Sequence, residues 1–63
     1  MIEFTDNEEI THMIPVREFR RLSFGDSYAT VHVKGARYDV QITVSLEVGH
    51  DIGNALQNKH IEG

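Results

Sequence analysis

The stretch Tyr28-Ala29-Thr30-Val31-His32-Val33-Lys34-Gly35-Ala36-Arg37-Tyr38-Asp39-Val40-Gln41-Ile42-Thr43-Val44-Ser45-Leu46 decides the fold. Ala29, Val31 and Val33 alternate with polar residues, and Tyr38, Val40, Ile42, Val44 and Leu46 do so again after a break at Gly35 and Ala36. A period of two is the signature of strands with one buried face, so residues 28–46 read as an antiparallel hairpin. Glycine at the first of two central positions suits a type II′ turn, which needs positive φ there. Counting outward from that turn sets Val33 opposite Tyr38, Val31 opposite Val40 and Ala29 opposite Ile42. All the apolar residues then share one face. On the other face His32 falls opposite Asp39, and Thr30 opposite Gln41.

Upstream, Ile2 and Phe4, then Ile10, His12 and Ile14, alternate with polar residues around Asp6-Asn7-Glu8-Glu9, the pattern of two short strands joined by a four-residue loop. Pro15 lacks a backbone donor and ends the second strand or sets it at an edge. Val16, Phe19 and Leu22 recur every third residue, so residues 16–22 read as a short helix, with a strand starting at Leu22 and Phe24 as the alternative. Ser23 to Ser27 reads as a loop.

Downstream the period changes. Val48, Ile52, Ala55 and Leu56 form the apolar stripe of a helix, with Ser45 as N-cap, Glu47 in the first turn, and Lys59 and His60 near the negative end of its dipole. Gly49 and Gly53 each cost about 1 kcal/mol inside a helix. Either they permit close approach to the sheet or to a second helix, or the helix starts late, at Asp51. The expected fold is therefore α+β: one domain over 1–63, a small antiparallel sheet of three to five strands, and a C-terminal helix packed on one face.

A 60-residue domain buries only about 60% of the surface that its unfolded chain exposes, and such chains usually need a staple. This one has no cysteine, which excludes disulfides, thiolate metal sites and thiol nucleophiles. Self-association into a homo-oligomer is the expected remedy, with Val48, Ile52 and Leu56 as its interface. No apolar run reaches the length of a membrane span, and Met1–Glu9 carries acids where a signal peptide carries basic residues, so a cytoplasmic protein without membrane contact is expected.

The net charge of −4 is unevenly spread. Residues 1–9 hold four acids, whereas five of the six basic residues, Arg17, Arg20, Arg21, Lys34 and Arg37, fall within 17–37. These five form the candidate partner-binding surface. They face a protein partner, nucleic acid through their phosphate contacts, or the chain's own acidic termini. An isoelectric point near 5.4 argues against a dedicated nucleic-acid domain.

Recognisable catalytic patterns are missing. His12, His32, His50 and His60 show no metal-ligand spacing, and no metal or other cofactor is expected. Ser23 is not in a nucleophile elbow, and the glycines build no phosphate loop. No catalytic residue is assigned and the chain is read as a non-enzyme. The reading that follows is a small regulator or inhibitor that binds another protein and itself. The runner-up is a nucleic-acid-binding regulator using residues 17–37, and a structural subunit of an oligomeric assembly is the third alternative.

Overall fold

The computed structural model describes the backbone of residues 1–62 and the side chains of residues 1–57. The elements follow in the order β1 (Ile2–Thr5), β2 (Thr11–Ile14), a 3-10 turn (Val16–Glu18), β3 (Phe19–Phe24), β4 (Tyr28–Val33), β5 (Val40–Ser45) and α1 (Leu46–Glu62). β1 and β2 form one antiparallel ribbon; β3, β4 and β5 form a second sheet with β4 in the middle. The architecture is α+β, a small antiparallel sheet with one C-terminal helix against it.

The β4–β5 hairpin forms with the expected faces but a different register. Val33 pairs with Val40, Val31 with Ile42 and Ala29 with Val44, so the connection spans residues 34–39 rather than Gly35 and Ala36 alone. A shift of two residues leaves every side chain on its face, which is why the buried set Ala29, Val31, Val33, Ile42 and Val44 is unchanged by it. The II′ turn does not form, since Gly35 does not take the positive φ it needs. Gly35 serves the connection differently: a Cβ there would overlap the Tyr38 carbonyl oxygen. His32 consequently faces Gln41, not Asp39, and Thr30 faces Thr43.

Residues 19–24 are strand, and the helix read over 16–22 shrinks to the 3-10 turn. The register of β3 on β4 slips between Phe19, opposite Val33, and Arg21, opposite His32. This bulge at Arg20 puts one extra residue on β3, so Phe19 and Leu22 reach the same face three residues apart. A strand with a bulge thereby reproduced the spacing of a helical turn.

The inner face of the three-stranded sheet is covered by two elements. α1 begins at Leu46, where the Ser45 Oγ accepts the Val48 N–H at 3.1 Å, an N-cap that rules out the late start at Asp51. Gly49 lies on the sheet: a Cβ there would sit 2.6 Å from the Ala29 Cβ and 3.1 Å from the Phe24 Cε1. Ile52, 1% exposed, enters the core, and Val48, Ala55 and Leu56 pack around it. The β1–β2 ribbon adds Ile2 and Phe4 to the same core, with the Phe4 ring 6.4 Å from Phe19. Lys59 and His60 lie outside the described side chains. Among the described residues no helix is long and apolar enough to cross a membrane.

Candidate interaction surface

Three chain segments meet at one end of the second sheet: the 3-10 turn leading into β3, the end of β4, and the 34–39 connection into β5. The Lys34 N–H donates to the Glu18 carbonyl at 2.8 Å and ties the first two together. Arg17, Arg20, Lys34 and Arg37 are all exposed on these segments. Arg20, projected by the bulge, is 3.5 Å from Asp39 (Nε to Oδ1), with both side chains about half exposed. Such a pair is worth at most about 1 kcal/mol in water. Arg21 departs from the group, since its register partner His32 belongs to the outer face, with Ser23, Thr30, Gln41 and Thr43.

Amid these cations Tyr38 is 78% exposed and Val40 43%. With Ala36 and Arg37 they line a hollow of about 250 Å3. The period of two assigns Tyr38 to the apolar face of a strand. The longer connection instead lifts it off the sheet.

A second cleft, about 530 Å3, lies between the tip of the β1–β2 ribbon and the outer edge of β5, with Asp6, Glu8 and His12 on one wall and Val40 to Thr43 on the other. Asp6 organises this tip. One carboxylate oxygen accepts the N–H groups of Glu8 at 2.8 Å and Ile10 at 3.0 Å, and the other lies 2.7 Å from His12 Nε2. The hydrogen bond with His12, then those of the backbone, hold the Asp6 carboxyl below its ordinary value. His12 in turn stacks on Phe4 at 5.2 Å between ring centroids. The sequence signal for this arrangement was an aspartate opening a turn, which accepts N–H groups of the residues just after it.

His32 and His50 have other neighbours. His32 Nε2 is 3.2 Å from Ser23 Oγ on the open sheet face, and His50 stacks on Phe24 at 4.8 Å. Among the described residues no three His, Cys, Asp or Glu side chains are gathered as metal ligands would be. Val48, Ile52 and Leu56, the stripe expected to join subunits, face the chain's own sheet, where Ile52 is consumed by the core. None of the known families, curated proteins or solved structures compared with this chain matches it.

Proposed function

We propose that this chain is a non-catalytic binding module, a small regulator or inhibitor that engages another protein through the basic end of its second sheet and also associates with itself. The carrying observation is the exposed Tyr38, with Val40 and Arg37 beside it, at the sheet end whose segments also carry Arg17, Arg20 and Lys34. Tyrosine and arginine are the side chains that dominate binding energy at protein interfaces, because each brings a large contact area and a directed polar group. Glu18 and Asp39 belong to the same segments, and Asp39 is already beside Arg20. A surface of mixed sign suits the side chains of a protein better than the uniform negative charge of a nucleic-acid backbone.

The test is affinity capture from source-cell lysate with and without nuclease, beside an Arg17→Glu, Lys34→Glu double variant and a Tyr38→Ala variant, each of confirmed folding. A defined protein that survives nuclease and is lost with both variants supports the proposal. Recovery of nucleic acid, with everything else released by nuclease, overturns it in favour of a nucleic-acid regulator. In that case log affinity would also fall steeply with log salt.

A further inference from the structure

The chain has ten acidic residues, yet β3, β4 and β5 contain none. The inner face of these strands is closed by α1 and the ribbon, and the core draws on that face alone. On the outer face the registers set two rows of polar side chains across the strands: Arg21, His32 and Gln41, then Ser23, Thr30 and Thr43. Neighbours within a row are about 5 Å apart and the rows about 7 Å apart. His32 is the pivot of this grid. It stands on the central strand opposite Arg21, and its Nε2 is 3.2 Å from the Ser23 Oγ in the next row. Arg21 is exposed and has no ion-pair partner among the described residues, whereas Arg20 beside it has Asp39. The acids of the ribbon tip, Asp6 and Glu8, adjoin β5, two strands and about 10 Å from β3.

These side chains are donors for an anion. When the His32 ring carries a proton on Nε2 it donates to Ser23, which leaves the Ser23 hydroxyl to donate to a ligand. A dianion also favours the doubly protonated ring, whose charge adds to that of Arg21. The Arg21 fork takes two oxygens and Ser23 a third. A carboxylate has only two, and so does the phosphodiester of a nucleic acid, whereas a phosphate monoester has three and carries close to two negative charges.

We propose that the outer face binds a phosphorylated serine or threonine side chain of another protein at Arg21, His32 and Ser23. An open sheet face does not enclose a small molecule as a concave site does. A protein docked at the basic end brings its own wall over this face, since Arg20 and Arg21 are consecutive and the two surfaces adjoin. That source of the phosphate rests on the partner reading above. A nucleic-acid strand fits less well: it needs a cation at successive phosphates and aromatic platforms for its bases, but the second row is uncharged and the aromatic on this face, Tyr28, stands at the far end of β4.

NMR titration of the isotope-labelled chain tests the site, with an end-blocked Ala-phosphoserine-Ala peptide, its unphosphorylated form and a single-stranded thymidylate hexamer as probes. The phosphopeptide is expected to shift the signals of Arg21, Ser23 and His32 saturably, with a Kd on the order of 1–10 mM, the range of a few charge-assisted hydrogen bonds in open water. Arg21→Gln should weaken it about tenfold and Ser23→Ala about threefold, by loss of a charged and a neutral hydrogen bond. The spectra of the free variants show whether each keeps the fold; if Arg21→Gln does not, Ser23→Ala and the peptide pair decide. Equal shifts by both peptides, no saturable shift at the three residues, or undiminished binding by the variants overturns the proposal. Tighter binding of the hexamer at the same residues overturns it in favour of nucleic acid. In lysate capture, a protein lost after phosphatase treatment supports the proposal. One that is retained overturns it and leaves the partner reading standing. Capture that fails while the phosphopeptide binds sinks only the partner reading.

Discussion

At the scale of single residues the ribbon tip stands out, because five residues there are held by one side chain and one unusual φ. Glu9 has φ of 65°, and the Glu9 N–H donates to the Asp6 carbonyl at 3.0 Å. A turn closed by that bond and followed by a left-handed residue is the pattern of the usual three-residue hairpin loop, with glutamate where glycine is most at ease. Left-handed backbone costs a side-chain-bearing residue about 1–2 kcal/mol, and glycine recovers part of that after its own entropy loss on folding. Glu9→Gly should therefore stabilise the chain by about 0.5–1 kcal/mol and raise its Tm by a few degrees. A Tm that stays put or falls in thermal unfolding would show the conformation to be unstrained. Asp6 gives a pH dependence. Its carboxyl titrates below its ordinary value of 3.8 in the folded chain, first because of His12 and then because of the backbone N–H groups. The native state thus binds its proton less readily than the unfolded chain does. The resulting stabilisation is complete above that ordinary value and is lost as pH falls through the lower, folded one. Asp6→Asn keeps a carbonyl acceptor for the turn and removes the titration. Its unfolding free energy should fall less steeply than that of the wild type below pH 3.8, and identical acid limbs in urea titrations would refute the assignment.

At the scale of elements, the two helix glycines, alike in sequence, have opposite roles. A Cβ on Gly49 would press against Ala29, fully buried on the central strand, whereas one on Gly53 would lie 3.5 Å from the Leu22 Cδ2, an ordinary contact. Gly53→Ala should stabilise by up to about 1 kcal/mol through helix propensity. Gly49→Ala should destabilise by about 1–2 kcal/mol, overpacking outweighing the same propensity gain. Urea unfolding of both variants checks the pair; equal shifts of one sign would mean that the helix does not lie against β4 as described. The elements also differ in how far they could be read from sequence. The hairpin faces and the Ser45 cap were legible, because alternation and capping are local and survive a two-residue change of register. The register itself was not, since Gly35 invited a two-residue turn, whereas its use is to let the Tyr38 carbonyl come close. β3 was misread for a physical reason too: its bulge converts a period of two into the three-residue step from Phe19 to Leu22.

At the scale of the whole molecule the question is how so short a chain closes a core. α1 reaches all three strands of the second sheet and also β1, and the β1–β2 ribbon completes the core, with Phe4 against Phe19 and Asn7 bonded to Thr43. This division of labour was not visible in sequence, because alternation in residues 2–14 shows that a ribbon has an apolar face but not what it rests on. The same holds for the candidate surface: the cations of 17–37 were legible as a cluster, yet only the fold separates Arg21, on the outer face, from Arg17, Arg20, Lys34 and Arg37, and lifts Tyr38 among them. If the ribbon is an integral wall of the core rather than an appendage, one large side chain should decide the stability of the whole. Phe4→Ala removes a ring that is 6% exposed and stacked on His12. Such a truncation costs about 3–5 kcal/mol, against a total of about 3–9 kcal/mol for a domain of this length at 0.05–0.15 kcal/mol per residue. The variant should lose more than about 12 °C in Tm and leave a large unfolded fraction near the growth temperature of a mesophile. It should do so in a single transition in which α1 and the second sheet melt together with the ribbon. A cooperative transition that drops by only a few degrees would instead show that α1 and the second sheet hold their own core, with the ribbon resting on it.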